Sequence, residues 1–166
     1  DSVIGNKSGK VLLTMFSQNT NLLLAFLRDH NTARSVLDVF NDLYAMFGRE
    51  IYCRLFPVIL TDRGSEFSNP VPIEQDVNDE LRSLVFYCNP SAPYQKGGIE
   101  VAHELVRRVL PKGKSFDDLQ QEDIDLMLSH INSYKRGKLN SRSAYQLFNF
   151  IYGDDILPKL NIREIE

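Results

Sequence analysis

The sequence predicts an α/β protein in which helices flank a mixed five-stranded sheet. Strand patterns fill the first part of the chain, a helix and two further strand patterns follow, and three helical patterns end it. This order of elements is typical of a mixed sheet with helices on its faces. The length of 166 residues predicts one domain over residues 1–166, large enough to bury an adequate core.

Five segments have the composition of β-strands. Residues Val11–Phe16 and Leu22–Leu27 are apolar runs separated by turn residues, which predicts a hairpin. Residues 1–5 precede them and extend the hairpin to a three-stranded antiparallel arrangement. The run PVILT at residues 57–61 is typical of a buried central strand, and Leu84–Cys88 is a further strand.

Four segments have helical periodicity. The first begins at a cap, Asn31 or Thr32, ends at Gly48, and has apolar residues at helical spacing, namely Val36, Phe40, Leu43 and Phe47. The other three follow the strands and cover Ile99–Leu110, Asp118–Tyr134 and Ser143–Tyr152. Between the two groups, residues 72–83 are polar and predict a surface turn.

Composition and missing motifs exclude several functional classes. The formal net charge of −3 gives no global attraction to nucleic acid, so any DNA contact must depend on local basic patches. The sequence contains neither a phosphate-binding P-loop motif nor the nucleophile-elbow motif of serine hydrolases. Cys53 and Cys88 are too few for a zinc site, and no apolar run approaches the roughly 18 residues of a membrane span.

The segment TDRGSEF, residues 61–67, contains the first candidate site residue. Asp62 follows a predicted buried strand and precedes a glycine turn, a position from which ligands of α/β proteins are usually bound. The alternative is an aspartate that only shapes the turn by bonding nearby backbone. Glu66 is a second possible ligand, but it lies within the turn and is predicted to support the loop.

The helix that begins after the loop PSAPYQKGG contains the second candidate, Glu100. Its apolar face is predicted to face the core and consists of Ile99, Ala102, Leu105, Val106 and Val109. Its polar face consists of Glu100, His103, Glu104 and Arg107. The helix dipole favours an ionised Glu100 near the N-terminus, as a divalent cation requires. The alternative is a solvated face on which glutamates pair with Arg107 and Arg108 at helical spacing.

Carboxylates on separate elements indicate a site for divalent metal. Asp1 on the first strand, Asp62 and Glu100 together suggest a cage for one or two Mg²⁺ ions, with Mn²⁺ as the substitute. Such a cage serves phosphodiester chemistry. We expect the carboxylates of Asp62 and Glu100 to converge within reach of a shared metal.

Four segments together resemble bacterial insertion-sequence transposases. In order they are ILTDRGSEF, FYCNPSAPYQKGGIE, ELVRRVLPKG and NSYKRGKLNSRSAYQLF. They are similar to the branch named for insertion sequence thirty, within the retroviral-integrase core superfamily. The resemblance implies an RNase H-like fold and identifies Asp1, Asp62 and Glu100 as the Asp-Asp-Glu triad that binds metal. The sequence departs from the family pattern at Tyr94 and Lys96, where tryptophan and arginine are common.

The resemblance also implies an activity and partners. The activity is metal-dependent DNA strand cleavage and strand transfer, on transposon ends and target DNA, by a homo-oligomer in the bacterial cytoplasm near the nucleoid, with no membrane partner. The N-terminal region that recognises element ends would be absent from this chain. The alternatives are an RNase H-like nuclease without strand transfer, or an inactive remnant that serves as a DNA-binding or dimerisation module.

Basic and loop residues around the glutamate helix are candidates for DNA binding. They would contact phosphates along a strand leading to the metal site, and they are Tyr94, Gln95, Lys96, Arg107, Arg108, Lys112 and Lys114. A second basic patch consists of Lys135, Arg136, Lys138 and Arg142. The alternative for both patches is a solvated basic surface.

Overall fold

A computed structural model describes residues 1–6 and 8–166 of the chain. The chain divides into two compact units, each described here by itself. The first unit consists of Asp1 and residues 30–96, and the second unit consists of residues 2–29 and 97–166. The predicted single domain over residues 1–166 stays a prediction.

The helices and strands follow the predicted order. In chain order, the strands of the described residues are β1 (Ser2–Ile4), β2 (Val11–Phe16), β3 (Leu23–Arg28), β4 (Val58–Thr61), β5 (Leu84–Tyr87), β6 (Lys135–Arg136) and β7 (Arg142–Ser143). The helices are α1 (Ala33–Leu55), α2 (Val71–Glu74), α3 (Gly97–Val109), α4 (Gln121–Ser133) and α5 (Ala144–Tyr152). Within the described part of the chain, no helix is long and apolar enough to cross a membrane.

In the first unit, α1 is built around the predicted apolar stripe. Thr32 caps the helix, because its side chain accepts a hydrogen bond from the Ser35 N–H at 3.2 Å. Gly48 interrupts the helix with a φ of 74°, a conformation that favours glycine, and a second helical segment then runs on to Leu55. The predicted end at Gly48 is therefore a kink. The parallel pair β4–β5 completes the regular structure of this unit.

Residues 72–83 are anchored more firmly than the predicted surface turn. Arg82 is only 3% exposed. Its guanidinium donates hydrogen bonds to the carbonyls of Ile73 and Pro72 and to the side chain of Asn41, and it lies 5.1 Å from the centroid of the Tyr44 ring. A buried arginine needs such partners, because an unpaired charge is costly to bury. Arg82 thus holds the segment against α1.

In the second unit, β1, β2 and β3 form an antiparallel sheet in that order. Leucines of β2 and β3 and of the adjoining turn are almost fully buried, and α3 and α4 pack on this sheet. Burial of these side chains stabilises the unit by about 25 cal/mol per Å² of apolar surface removed from water. Ser143 caps α5 at the start of the predicted helix, accepting a hydrogen bond from the Gln146 N–H.

The five predicted strands are all present, but their pairing is divided. Hydrogen bonds join β1–β2–β3 in one sheet and β4–β5 in another, rather than all five strands in one sheet. The three N-terminal strands pair through short local turns, whereas β4 and β5 are parallel and require the crossover through residues 62–83. A further two-residue pair, β6–β7, was not predicted.

Candidate active site

Asp62 lies directly after β4, where the sequence analysis placed it. One carboxylate oxygen, Oδ1, accepts a hydrogen bond from the Gly64 N–H at 3.0 Å, which closes an Asx turn. The other oxygen, Oδ2, lies 3.4 Å from the Lys96 ammonium. The turn-shaping interpretation is therefore correct for one oxygen only, and the second oxygen remains directed at a cation.

Asp1 shares that cation. Its Oδ2 accepts a hydrogen bond from Lys96 Nζ at 3.0 Å, and the two residues are 95 positions apart in the sequence. The Lys96 side chain is 16% exposed and that of Asp1 24%, whereas Asp62 is 47% exposed. Two carboxylates of the first unit thus converge on a single, largely buried ammonium group.

The surroundings of Asp62 hold its carboxyl in the ionised form. Partial burial acts to raise the pKa of Asp62, but the Gly64 N–H and the positive charge of Lys96 outweigh it. The pKa of this carboxyl therefore lies below its usual value. An ionised carboxylate is the state that a divalent metal requires of such a ligand.

Glu100 lies in the second unit, in the first turn of α3, and its side chain is exposed. The start of the helix is held against β2, since a Cβ at Gly98 would overlap the Phe16 ring. Ile99, Ala102 and Val106 are buried as predicted, but Val109 is 52% exposed because it ends the helix. The position of Glu100 at the positive end of the helix dipole fits the predicted role.

His103, on the predicted polar face of α3, has a structural contact. Its Nε2 lies 2.8 Å from the Thr14 hydroxyl on β2, with His103 partly buried. This hydrogen bond joins α3 to the three-stranded sheet. Glu104, one turn beyond Glu100, is also exposed.

The donor set of Asp1 and Asp62 fits a hard divalent cation. Both are carboxylates, and the point on which they converge is already occupied by positive charge, the Lys96 ammonium. Taken over residues 1–6 and 8–166, no group of three or more His, Cys, Asp and Glu side chains is arranged to hold a metal ion. The completion of the site by Glu100 stays a prediction.

The predicted DNA-binding residues fall into two groups. Tyr94 is 80% exposed, and Arg108, Lys112 and Lys114 are exposed as well. The others have intramolecular contacts: Gln95 accepts a hydrogen bond from the Asn89 N–H at 2.9 Å, Lys96 binds Asp1 and Asp62, and Arg107 donates to the Ile4 carbonyl at 2.9 Å. The first group is exposed, whereas Gln95, Lys96 and Arg107 are only half-buried and are engaged within the chain.

The second basic patch is divided in the same way. Arg136 is half-buried and donates to the carbonyls of Asn21 and Ile131 at 3.5 and 3.4 Å. Lys135, Lys138 and Arg142 are exposed. Arg136 therefore contributes to the packing of the second unit, and three residues of the patch are accessible.

Sequence reasoning missed the contact of Lys96 with the aspartates. Lys96 was predicted to bind DNA because it stands beside Gly97 and Gly98 in a basic and aromatic loop. No local pattern could reveal partners 95 and 34 residues away. The available signal was chemical: two carboxylates that share one site need a counter-ion when no metal is bound.

Comparison with known proteins relates the chain to transposases and integrases. It is 28% identical over 151 residues to the predicted integrase ORF3 of Spiroplasma virus SpV1-R8A2 B, covering 89% of the chain and 44% of that protein. It is 22% identical to the transposase of IS4351 of Bacteroides fragilis, covering 91% of the chain and 44% of the relative, and 23% identical to the transposase InsI of IS30A of Escherichia coli K12, covering 89% and 36%. The chain thus spans less than half the length of these relatives. No family model matches it.

Solved structures with the same fold are retroviral integrases. The catalytic core domain of BIV integrase aligns with a TM-score of 0.59 and 20% identity, covering 92% of the chain and 90% of that domain. A subunit of the simian T-cell lymphotropic virus intasome, solved in complex with the PP2A regulatory subunit B56 gamma, aligns with a TM-score of 0.65 and 16% identity, covering 100% of the chain and 55% of the subunit. The α/β, RNase H-like fold class and the resemblance to transposases of the IS30 type are confirmed.

Proposed function

We propose that this chain, an integrase core of the insertion-sequence-thirty type, is the catalytic part of a transposase that cleaves DNA strands and transfers their ends. The relatives are transposases and an integrase by name, and the fold is that of an integrase catalytic core. The chain spans less than half of those relatives, so the region that recognises element ends is assigned to the rest of the protein.

A single observation supports this function best: Asp1 and Asp62 converge on one cation. Lys96 Nζ lies 3.0 Å from Asp1 and 3.4 Å from Asp62. Phosphoryl transfer between DNA strands needs positive charge where the phosphate oxygens develop negative charge, and acidic side chains hold that charge in place. A solvated acidic surface would not hold two aspartates against one buried ammonium.

We assign the metal to Asp1, Asp62 and Glu100. When bound, Mg²⁺ or Mn²⁺ would help to activate the attacking oxygen and to stabilise the leaving oxygen. The Gly64 N–H fixes the orientation of the Asp62 carboxylate by holding Oδ1. Glu100 contributes a carboxylate from the first turn of α3.

The exposed basic residues are assigned to the DNA backbone. Arg108, Lys112 and Lys114 present three positive side chains to solvent, and Tyr94 adds an exposed aromatic ring on which a base can stack. The sequence also predicted DNA binding by Gln95, Lys96 and Arg107. In the active complex we expect a homo-oligomer assembled on the transposon ends and the target DNA.

Substitution of the carboxylates in the full-length protein tests the function. We expect Asp62→Asn and Glu100→Gln each to abolish Mg²⁺-dependent cleavage of DNA that carries the element ends, with little change in DNA affinity. Glu104→Gln is the matched control, because it is an exposed glutamate one turn further along α3. It should retain most of the activity.

The outcomes separate the candidate functions. Cleavage followed by joining of pre-cut ends to a target supports a transposase, whereas cleavage without joining supports a nuclease of the same fold. DNA binding without cleavage in either Mg²⁺ or Mn²⁺ indicates an inactive remnant. An equal loss of cleavage activity in Glu100→Gln and Glu104→Gln, with unchanged melting temperatures, would show that the third ligand has been assigned to the wrong turn of α3.

A further inference from the structure

Lys96 is held in a way that differs from the other lysines predicted to bind DNA. Its side chain is 16% exposed and its ammonium contacts both Asp1 and Asp62, whereas Lys112 and Lys114 are exposed. Fixing a long lysine side chain costs rotamer entropy. That cost must be offset, and the offset available here is the attraction between one ammonium and two carboxylates.

The two carboxylates need this counter-ion. Like charges that share a site repel one another, and the repulsion destabilises the fold unless a cation lies between them. Lys96 provides that cation from within the first unit, directly before Gly97 and four residues before Glu100 along the chain. Both carboxylates can therefore stay in place without metal.

We propose that Lys96 is a built-in substitute for the divalent metal, which competes with metal for Asp1 and Asp62 and is released when metal binds. This inference rests on the proposed function, because it takes the two aspartates as the metal ligands. The carboxylate oxygens that contact Lys96 are the atoms that a metal would use, so the ammonium and the metal exclude each other. Lys96 is a positioning residue for the empty site.

Release of Lys96 by metal would allow its predicted contact with DNA, so that this contact forms only when metal is bound. With its carboxylates engaged by metal, the ammonium becomes available to a phosphate of the DNA, the partner that the sequence indicated for it. Metal binding and DNA binding would then be coupled through one side chain, and each would strengthen the other. Without metal, Lys96 contributes little to DNA affinity.

Metal binding in the absence of DNA tests the exchange without using activity. Lys96→Met removes the charge and preserves the length of the side chain. We expect it to bind Mn²⁺ roughly three- to tenfold more tightly than wild type by titration calorimetry, because the competitor is gone. Without metal, the variant should have a lower melting temperature than wild type. Added Mn²⁺ should raise the melting temperature of the variant by more than it raises that of wild type.

Lys112→Met is the matched control, because it removes the same charge from an exposed position. It should bind Mn²⁺ as wild type does. A Lys96→Met variant with unchanged or weaker Mn²⁺ affinity, and equal loss of stability with and without metal, would overturn the exchange. An absence of Mn²⁺ binding in wild type and variant alike would instead contradict the metal site of the proposed function, and the exchange with it.

A second measurement needs no variant and applies even if Lys96→Met fails to fold. Acylation of lysines in the wild-type protein, read by mass spectrometry, should modify Lys96 slowly without metal and several-fold faster with saturating Mn²⁺. Lys112 should react at the same rate in both conditions. Equal protection of Lys96 with and without metal would show that the ammonium stays on the aspartates and that the proposal is wrong.

Discussion

Asn132 and Leu23 are joined by a pair of hydrogen bonds in the interior of the second unit. The Asn132 side chain accepts from the Leu23 N–H at 2.9 Å and donates to the Leu23 carbonyl at 2.8 Å, with Asn132 fully buried. Gln121, at the other end of α4, accepts from the Leu27 N–H and donates to the Ala25 carbonyl. Two amide side chains thus take the place of a neighbouring strand along the edge of β3.

Replacement of Asn132 should destabilise the protein strongly. Asn132→Ala leaves a buried N–H and a buried carbonyl of Leu23 without partners, and each such group costs about 1–3 kcal/mol. We expect the free energy of unfolding to fall by roughly 2–4 kcal/mol in urea denaturation. Asn69→Ala, at an exposed position, should change it by less than about 0.5 kcal/mol.

A second variant separates the hydrogen bonds from simple loss of volume. Asn132→Asp preserves the size and the acceptor for the Leu23 N–H, but at neutral pH it directs a buried charge at the Leu23 carbonyl. Burial raises the pKa of such a carboxyl, so the variant should recover stability as the pH falls through that raised pKa and the side chain regains a donor. Similar stability of Asn132→Asp and wild type at pH 7 would contradict the argument.

The start of α3 should tolerate an added methyl group at one glycine and reject it at the next. A Cβ at Gly98 would overlap the Phe16 ring, whereas a Cβ at Gly97 would meet no atom of the described residues within 4 Å. We expect Gly98→Ala to lower the free energy of unfolding by about 1–3 kcal/mol through overpacking. Gly97→Ala should be neutral or stabilising by up to about 1 kcal/mol, because alanine favours helix.

The double variant Phe16→Leu, Gly98→Ala tests whether the Phe16 ring causes the loss of stability in Gly98→Ala. Leucine removes the aromatic ring that the new methyl group would strike, so the loss from Gly98→Ala should be smaller in the Phe16→Leu background. A double-mutant cycle of unfolding free energies measures that coupling. Strictly additive losses would show that the ring does not limit residue 98.

Local periodicity was sufficient to predict most of the fold. The strand Val11–Phe16 and the helix that follows Ser143 are placed as predicted, since apolar runs and helical periodicity depend on neighbouring residues. The pairing of strands into two sheets, the burial of Arg82 and the kink that continues α1 beyond Gly48 were not predicted. Each depends on contacts between distant segments, which no window of sequence contains.

The sequence predicted where individual residues of the candidate site lie, but not the contacts between them. Asp62 follows β4 and Glu100 begins α3, as the motifs indicated. The structure adds that Lys96 binds Asp1 and Asp62 and that Arg107 bonds the backbone of β1. A basic residue in a DNA-binding motif has the same sequence signature whether its charge faces solvent or an internal partner, so sequence alone could not separate the two uses.

Asp117 should make the stability of the second unit dependent on pH. Its carboxylate accepts hydrogen bonds from the Lys10 N–H at 2.9 Å and the Ser115 hydroxyl at 2.8 Å. The Lys10 N–H, together with Ser115, lowers the pKa of Asp117 below its usual value of 3.8. For a lowered pKa, the stabilisation is present above the unfolded pKa and is lost as the pH falls through the folded pKa.

Asp117→Asn tests this dependence. At pH 7 the variant should be less stable than wild type in urea denaturation. The difference should begin to shrink below about pH 4, where the unfolded carboxyl becomes protonated, and should continue to shrink as the pH falls through the lower folded pKa. Asp118→Asn, at the exposed neighbouring position, controls for the change in net charge. A difference between Asp117→Asn and wild type that stays constant from pH 7 to pH 3 would exclude a contribution from the ionised form.

Two adjacent arginines on α3 should differ in what they contribute to DNA binding. Arg108 is exposed, whereas Arg107 donates to the Ile4 carbonyl at 2.9 Å and to the Leu110 carbonyl at 3.5 Å. We expect wild type to bind duplex DNA weakly and with little sequence preference, with an affinity that falls steeply with salt. Arg108→Ala should lower the affinity for all sequences alike and reduce the salt slope by about 1.

Arg107→Ala should mainly affect the fold. Loss of its hydrogen bond to β1 should lower the free energy of unfolding by roughly 1 kcal/mol, with a smaller change in the salt slope than Arg108→Ala produces. Fluorescence anisotropy between 50 and 200 mM salt gives the slope, and urea denaturation gives the stability. The contrary result would be an equal reduction of the salt slope in both variants, with no change in the free energy of unfolding. That result would show that Arg107 leaves the Ile4 carbonyl to bind phosphate when DNA is present, and that its assignment to the fold is wrong.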